Sequence, residues 1–359
     1  MKLEQLGWRA YFEAAWNSKV RSGQIAARVT AQHRELWDVA GEFGEYRAHA
    51  AGRLRLAAEQ GGLWPAVGDW VAVTGEAGKA MIICEVLPRR TQIVRKVAGQ
   101  CVAPQVLASN VDTIFVIMGL DGDYRPRRLE RYLAQIWEAG ARIVVLLNKA
   151  DVCENSEARA EEIRRIAFGV DVIPISAATG QGITGVDPYL EGGQTIVLLG
   201  SSGVGKSTLV NRLRETQSQA TSPVRQGDSR GRHTTTARQL FFLLSGALAI
   251  DTPGLRELQL WESEAGVAQA FQDVEMLSQQ CRFRNCKHAG EPGCAVTAAI
   301  DAGELPGARL EHYSKLLREQ AYLERRRNKA EQEKTKNQLR VINRAVRKLY
   351  RERNREGKG

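Results

Sequence analysis

Three short polar motifs each directly follow a run of apolar residues, and their order along the chain is the strongest constraint on its fold. Asn148-Lys149-Ala150-Asp151 comes first, a glycine-rich segment over residues 200–207 comes second, and Asp251-Thr252-Pro253-Gly254 comes last. Short apolar runs are typical of buried parallel strands, and ligands bind at the carboxyl ends of such strands. The sequence therefore predicts an open α/β sheet whose edge carries a ligand site built from all three motifs.

The glycine-rich segment has the pattern Gly-x-x-x-x-Gly-Lys-Ser of a phosphate-binding loop. Its backbone amides and the helix that follows it favour an anion. We expect Lys206 to reach the β- and γ-phosphates, Ser207 to offer its hydroxyl to Mg²⁺, and Asp251 to complete the magnesium environment through water. The predicted nucleotide contacts in this part of the chain are Gly200, Ser201, Ser202, Gly203, Val204, Gly205, Lys206, Ser207, Thr208, Asp251 and Gly254.

The first motif has the chemistry needed to recognise guanine. The Asp151 carboxylate can accept hydrogen bonds from guanine N1–H and the exocyclic amine, whereas adenine would leave this charge unpaired. We expect Asn148 to bond the purine edge and neighbouring loops, and the Lys149 stem to lie along the base beside Ala150. The dipeptide Ser176-Ala177 resembles the short loop that offers a backbone N–H to guanine O6.

The order of the motifs is rotated relative to that of small GTPases, in which the phosphate loop comes first and the base-reading motif late. The sequence therefore predicts a circularly permuted GTPase core that binds GTP or GDP with Mg²⁺. A different P-loop enzyme, such as an ATPase or a nucleotide kinase, remains an alternative. Such an enzyme would use Lys206 and Ser207 but would have no use for Asp151.

Residues 226–236 form a polar segment between the phosphate loop and Asp251, where GTPases have their first switch. One of its three consecutive threonines is expected to bind Mg²⁺ and sense the γ-phosphate. Leu255 stands where many small GTPases have a water-orienting glutamine, so another group must position the water. His233 is the candidate, with a loop histidine of no catalytic role as the alternative, and intrinsic turnover is expected to be slow. The predicted catalytic residues are Lys206, His233, Thr234 and Thr235.

Four residues downstream of the core have the types and spacing of a structural zinc site. Cys281, Cys286, His288 and Cys294 would occupy all four positions of a tetrahedral ion, leaving none for a catalytic water. A disulfide pair or unrelated cysteines are the alternatives. The other cysteines are scattered and no secretory signal opens the chain, so we expect a reducing cytoplasmic setting and one Zn²⁺.

The N-terminal part contains five short strand-like runs separated by glycines, which favour an OB-fold β-barrel that binds RNA. Arg47, Arg53, Arg55, Tyr46 and Trp64 are available for that contact, and Trp70 is expected in the core. Residues 1–23 are either a helix packed on the barrel or an arm ordered by RNA. The predicted strand runs are 24–31, 35–39, 45–50, 67–74 and 80–87.

The C-terminal residues 315–359 are helix-compatible and contain 16 Lys and Arg against 6 Asp and Glu. This excess of ten equals the formal net charge of the whole chain, +10, so the remainder is balanced. A basic helix of this kind favours contact with phosphate backbones, and a solvated charged helix is the alternative. No apolar run approaches the roughly 18 residues needed to span a bilayer, so no membrane partner is expected.

Together, the rotated motif order, the segment Gly231-Arg232-His233-Thr234-Thr235-Thr236 and the zinc spacing resemble the bacterial ribosome small-subunit-dependent GTPase A family. The resemblance covers nearly the whole chain. It implies a cytoplasmic, monomeric GTPase that binds the small ribosomal subunit and its rRNA late in assembly, with other assembly factors as further partners. A GTP-gated RNA-binding protein that the ribosome does not activate is the alternative.

The predicted architecture is multidomain, with an N-terminal β-barrel, a central α/β P-loop core and a small C-terminal zinc module with α-helices. Residues 88–110, with Arg89, Arg90, Arg95 and Lys96, resemble a basic connection to the strand that begins at Val111. The predicted units are an N-terminal extension (1–23), an OB-fold RNA-binding domain (24–90), a linker (91–110), a circularly permuted GTPase domain (111–262), a zinc-binding module (263–314) and a basic helical extension (315–359).

Overall fold

The computed structural model describes residues 1–19, 22–33, 35–76, 79–96, 104–215, 238–251, 264–322 and 325. Several predicted features lie outside these residues. They are the switch residues His233, Thr234 and Thr235, Gly254 of the third motif, and most of the basic tail. The roles predicted for them stay predictions.

The N-terminal segment packs on the barrel, which is one of the two alternatives that the sequence left open. It forms a short 3₁₀ helix, Leu3–Leu6, and then helix α1, Ala10–Lys19. Leu6 and Phe12 are fully buried. The ring of Trp8 meets that of Trp70 edge-on, with 4.7 Å between the ring centroids. Aromatic burial therefore attaches the segment to the barrel.

Five strands form a closed barrel in which β1 pairs with both β2 and β4. Strand β3 pairs with β2 in antiparallel and with β5 in parallel, and β5 returns to β4. This order is that of an OB-fold. Each predicted run overlaps one strand, although β1, β2 and β3 extend one or two residues beyond their runs, and Trp70 is fully buried, as predicted. The elements are β1 (Ile25–His33), β2 (Leu36–Gly41), β3 (Gly44–Ala50), α2 (Gly52–Glu59), β4 (Trp70–Thr74) and β5 (Met81–Val86).

Residues 91–110 were predicted to be a linker, and this prediction is wrong. They contain a two-stranded antiparallel hairpin of β6 (Gln92–Lys96) and β7 (Pro104–Ser109). Ile93 and Leu107 are buried in the main hydrophobic core, together with Ala108. Apolar residues stand next to each other in both strands, Ile93-Val94 and Val106-Leu107-Ala108, so the alternation that marks a half-buried strand is missing from this sequence.

The central sheet has the strand order β10-β9-β8-β11-β13-β12, in which all strands except β12 are parallel. The phosphate-loop strand β11 follows β8, β9 and β10 in sequence but lies between β8 and β13 in space, as expected for a permuted core. The strands are β8 (Thr113–Gly119), β9 (Arg142–Asn148), β10 (Asp171–Pro174), β11 (Thr195–Gly200), β12 (Arg238–Phe242) and β13 (Leu248–Asp251).

Helices cover both faces of this sheet, which explains why its strands are apolar throughout. All seven residues of β8 are buried. The connections include α3 (Pro126–Ile136), α4 (Ser156–Ile166) and α5 (Lys206–Glu215), with 3₁₀ turns at Trp137–Ala139, Ala150–Val152 and Ile183–Tyr189.

The barrel and the central sheet share one continuous ladder of hydrogen bonds. Edge strand β12 pairs in antiparallel with β1, with Ala31 opposite Gln239 and Gln32 opposite Arg238. Strand β12 begins directly after the predicted switch segment. The barrel is therefore joined to the sheet at the strand that follows this segment.

The C-terminal part consists of α6 (Glu264–Ala270), α7 (Gln272–Ser278), α8 (Ala295–Asp301) and a helix over residues 307–322, here α9. Helix α9 runs across the boundary predicted between residues 314 and 315. Burial of Tyr313 and Leu316 in the main core explains why the helix begins earlier. Within the described residues, no helix combines the length and apolarity required to cross a bilayer.

Candidate nucleotide and metal sites

The carboxyl ends of neighbouring parallel strands bring the predicted motifs to one edge of the sheet. Gly119 at the end of β8 pairs with Asn148 at the end of β9. Gly200 at the end of β11 pairs with Ile117 of β8, and Asp251 ends the adjacent strand β13. The base-reading motif, the phosphate loop and the described part of the third motif therefore meet at this edge.

The phosphate loop needs glycine at two positions for reasons of space. At Gly200 the backbone has φ of +148°, and a Cβ atom would lie 2.3 Å from the carbonyl oxygen of Ile117. At Gly205, where φ is +98°, a Cβ atom would lie 2.2 Å from Asn148 Nδ2. Helix α5 begins at Lys206, so its first amides are directed to the same edge as the loop.

Asn148 is the side chain that joins the loops of the site. Its Nδ2 donates to the carbonyl oxygen of Val204 at 2.7 Å, and its Oδ1 accepts from the N–H of Ala177 at 2.8 Å. Asn148 is buried, so both hydrogen bonds are shielded from water. One side chain thus connects the base-reading motif, the phosphate loop and the Ser176-Ala177 dipeptide.

Ser176 and Ala177 use their N–H groups within the protein. Ser176 N–H donates to the carbonyl oxygen of Gln181 at 2.8 Å, while its Oγ accepts from the N–H of Thr179. In this structure the Ala177 N–H donates its hydrogen bond to Asn148 and not to a base. The dipeptide lies at this edge of the sheet, and the Ala177 N–H, the backbone donor expected for guanine O6, has a protein acceptor.

The two lysines of the site are held by oxygen atoms. Lys206 Nζ donates to the carbonyl oxygens of Gly200 at 2.6 Å and Ser201 at 2.5 Å. Lys149, whose φ is +68°, extends its Nζ to Asp121 Oδ2 at 2.6 Å. This hydrogen bond is the main reason why the pKa of Asp121 is lowered. The prediction for Lys149 did not include this carboxylate partner.

Asp121 is a site residue that the sequence analysis missed. It lies two residues after the end of β8, and the base-reading motif begins at the end of the neighbouring strand β9. The position of a polar residue after a buried strand was the available signal. The loop is also tight, since a Cβ atom at Gly119 would lie 2.5 Å from Asp121 Oδ1.

The predicted base and magnesium ligands are accessible at this edge. Asp151 lies in the 3₁₀ turn after β9 and is exposed. Ser207, in the first turn of α5, and Asp251, at the end of β13, are also exposed. A hydroxyl and a carboxylate are oxygen donors of the kind that Mg²⁺ prefers, so these residues fit the ion in chemical type.

The four predicted zinc ligands converge on one point. Cys281 Sγ lies 3.9 Å from Cys294 Sγ and 3.6 Å from His288 Nδ1, and the latter two atoms are 3.4 Å apart. With Cys286 included, all ligand atoms lie within 4.8 Å of one another. A tetrahedral ion with Zn–S near 2.3 Å and Zn–N near 2.0 Å separates its ligand atoms by roughly 3.5–3.8 Å. The cluster therefore fits Zn²⁺.

Local structure supports this cluster. Cys294 caps α8, with its Sγ accepting the N–H of Thr297 at 3.4 Å. Burial raises the pKa of the Cys294 thiol, but hydrogen bonds from Thr297 and His288 outweigh it and bring the pKa to about 6. The thiolate, which is the metal-binding form, is therefore favoured near neutral pH. The described cysteines, Cys84, Cys153, Cys281, Cys286 and Cys294, are free thiols.

Comparison with known proteins gives one consistent result. A family model described as RsgA GTPase matches residues 86–261. The small ribosomal subunit biogenesis GTPase RsgA of Opitutus terrae is 46% identical over 336 residues, covering 91% of this chain and 92% of that protein. The protein of the same name from Syntrophotalea carbinolica is 44% identical over 323 residues and covers 88% of each.

The fold agrees with a solved relative. The crystal structure of YjeQ from Thermotoga maritima matches with a TM-score of 0.63 and 26% sequence identity. The match covers 83% of this chain and 99% of that one. Sequence and structure comparisons therefore extend across the barrel, the core and the C-terminal part.

Proposed function

The chain belongs to the RsgA GTPase family, and from that premise we propose that it hydrolyses GTP in the biogenesis of the small ribosomal subunit. The family establishes guanine-nucleotide binding and GTP hydrolysis. The names of the relatives support the ribosomal role. The bridge that Asn148 makes to Val204 and Ala177 is the structural observation that carries the proposal, because it joins a base-reading loop to a phosphate loop.

In the proposed site, Asp151 selects guanine and Lys206 contacts the β- and γ-phosphates. Lys206 would exchange its two carbonyl acceptors for phosphate oxygens, which are stronger acceptors because they are charged. Ser207 and Asp251 would hold Mg²⁺, Asp251 through water. The ion, when bound, neutralises charge on the phosphates. His233, Thr234 and Thr235 are proposed to position water and contact the ion, and all three lie outside the described residues.

We further propose that RNA is bound by the barrel, the zinc module and the basic tail. On the barrel, Arg47, Arg53 and Arg55 are exposed and carry the positive charge that this binding requires. Zn²⁺ held by the Cys281 cluster would be structural and would supply no catalytic water. A protein that acts on ribosomal subunits and keeps its own cysteines reduced works in the cytoplasm, and we place this one there. We propose that it is a monomer.

The first test measures GTP hydrolysis by the zinc-loaded protein at fixed Mg²⁺ and salt, alone and with purified small ribosomal subunits. Large subunits and ATP serve as controls. We expect slow turnover alone and a large increase specific to the small subunit. Intact GTP binding without any stimulation would instead favour a GTP-gated RNA-binding protein that the ribosome does not activate.

Asp151→Asn tests base recognition. An asparagine amide cannot accept from both guanine N–H groups, so we expect GTP affinity to fall about 100-fold or more. The amide can donate to the carbonyl that replaces the exocyclic amine in xanthine, so affinity for xanthosine triphosphate should rise. Equilibrium titration with both nucleotides measures the change. The matched control is Glu154→Gln, an exposed carboxylate on the same loop, which should leave both affinities unchanged.

A further inference from the structure

Helix α3 begins beside the phosphate loop, and its Arg128 contacts that loop directly. Arg128 Nη1 donates to Ser201 Oγ at 2.5 Å and forms an ion pair with Asp123 Oδ1 at 2.5 Å. Ser201 is the second residue of the phosphate loop, 73 positions away in sequence. A guanidinium carries five N–H donors in a rigid fork, which suits it to hold two acceptors at once.

The phosphate loop requires such an anchor because of its composition. Gly200, Gly203 and Gly205 all have positive φ, and glycine is the residue with the greatest backbone freedom. Asn148 holds the carboxyl-terminal half of the loop through Val204. Arg128 is its counterpart at the amino-terminal half.

The present contacts of Lys206 make the hydrogen bond from Arg128 to Ser201 more important for the shape of the loop. Lys206 Nζ holds the carbonyl oxygens of Gly200 and Ser201 in this structure. In the proposed reaction the same Nζ moves to the phosphates, so those carbonyls lose the contact. The bond from Arg128 to Ser201 uses the serine hydroxyl, so it does not depend on the contacts that Lys206 gives up.

Helix α3 is itself held from its opposite side. Glu130 Oε1 accepts from Arg309 Nη1 at 2.5 Å, and Glu130 Oε2 pairs with His312 Nδ1 at 2.5 Å. Both partners lie on α9, and all three side chains are buried. Arg128 therefore holds the loop against a helix that a buried network attaches to the C-terminal part.

We propose that Arg128 is a positioning residue for GTP hydrolysis, which acts through the Ser201 hydroxyl to keep the amino-terminal half of the phosphate loop in its binding shape. The proposal rests on the proposed function for the reaction itself. Its structural content, a bond between α3 and the loop, can be measured separately. Preorganised backbone donors contribute most where charge develops in the transition state, so turnover should depend on Arg128 more than binding does.

The test compares Arg128→Ala, Ser201→Ala and the double variant, with small subunits present. We expect each single variant to lower kcat about tenfold and to change KM less than threefold, consistent with loss of one charge-assisted hydrogen bond. The double variant should lose no more than either single variant, since both remove the same contact. Arg128→Lys should recover part of the rate. The control is Arg127→Ala, whose side chain is 63% exposed and 3.8 Å from Glu311, and it should stay within twofold.

Additive losses in the double variant, or an equal loss in Arg127→Ala, would overturn the proposal. Hydrogen exchange of amides 200–205 gives a second readout that does not need turnover. We expect faster exchange in Arg128→Ala and Ser201→Ala than in Arg127→Ala, at unchanged thermal stability. If the wild-type protein shows no hydrolysis, the proposed function fails while exchange still decides the contact, and unchanged exchange in both variants would overturn it.

Discussion

The barrel and the C-terminal zinc module flank the same core but are held together in different ways. The barrel has a hydrophobic cluster of its own, which includes Trp37, Val71 and Ile83. The buried residues of the C-terminal part, such as Phe271 and Leu316, belong to the same cluster as the central sheet. The barrel has its own packing and strand closure, whereas the C-terminal part shares its core with the sheet, and its Cys281 cluster is the candidate for a stabilising metal.

A buried arginine lies at the junction of each flank with the core, and the partners of the two arginines differ. Arg28 donates to backbone carbonyl oxygens of Leu6, Gly68 and Asn110. Burial lowers its pKa to about 10, although Asp112 and Asp69 nearby partly oppose this. At this junction a cation binds neutral carbonyls, so much of the cost of burying the charge is uncompensated.

At the other junction Arg309 binds the carboxylates of Glu130 and Asp273 and the carbonyl oxygen of Ala270. Its guanidinium also lies over the ring of Phe271, 4.7 Å from the centroid. Opposite charges compensate the burial here. Removal of the arginine should therefore cost more folding stability at the C-terminal junction, where it leaves carboxylates without their cation.

Metal removal should cause the largest loss of stability, and it should unfold the C-terminal zinc module without unfolding the barrel. Structural zinc contributes about 10–16 kcal/mol of apparent binding free energy in small zinc peptides, so chelation should unfold the module. Limited proteolysis should then cut between residues 281 and 294 while the barrel stays intact. Cys294→Ser should act in the same way, and Cys84→Ser, a free thiol in the barrel, should not. Cleavage of the barrel at the same rate would contradict the comparison.

Acidification should weaken zinc binding in a defined range. The pKa of Cys294 in the fold, about 6, lies below that of a free thiol, near 8.5. Stability from this thiolate is thus fully present above about pH 8.5 and is lost as the pH falls through 6. Bound zinc competes with protons for this thiolate, so zinc release followed with a chromophoric chelator should begin only as the pH falls below about 6, and a flat profile would argue against thiolate ligation.

Arg309→Leu should destabilise the protein by about 3–5 kcal/mol, because Glu130 then loses its cation in a buried setting. Thermal unfolding monitored by calorimetry measures the loss. Replacing Glu130 by leucine in the same chain should recover part of it. The matched control is Arg131→Ala, which breaks a more exposed pair between the same two helices, Arg131 and Glu319 at 2.8 Å, and should cost about 0–1 kcal/mol.

Arg28→Met should cost less, about 2–3 kcal/mol, since three carbonyl oxygens lose a donor while a poorly compensated charge is removed. The centroid of the Trp70 ring lies 5.7 Å from the Arg28 guanidinium carbon, so tryptophan fluorescence should report unfolding at this junction. If Arg28→Met lowered the free energy of unfolding as much as Arg309→Leu or more, the type of partner would not decide the cost of removing a buried arginine.

The meeting of the three motifs at one sheet edge and the Cys281 cluster were predictable because local sequence contains their chemistry. Gly205 and Lys206 belong to a contiguous pattern, and the Cys281 cluster occupies fourteen consecutive residues. The five barrel strands were also predictable from apolar runs. The hairpin of β6 and β7 was missed because its apolar residues are adjacent and do not alternate with polar ones, and because its burial depends on the core against which it packs.

The sequence by itself determined the motifs, their rotated order and the apolar runs that place them at strand ends, because these properties act over a few residues. Tertiary structure alone decided which side chains hold the parts together. Arg309 and Glu130 are 179 residues apart, and Arg128 and Ser201 are 73 apart. Arginine in an amphipathic helix looks the same whether it faces solvent or a partner, so only packing of distant elements selects its contact.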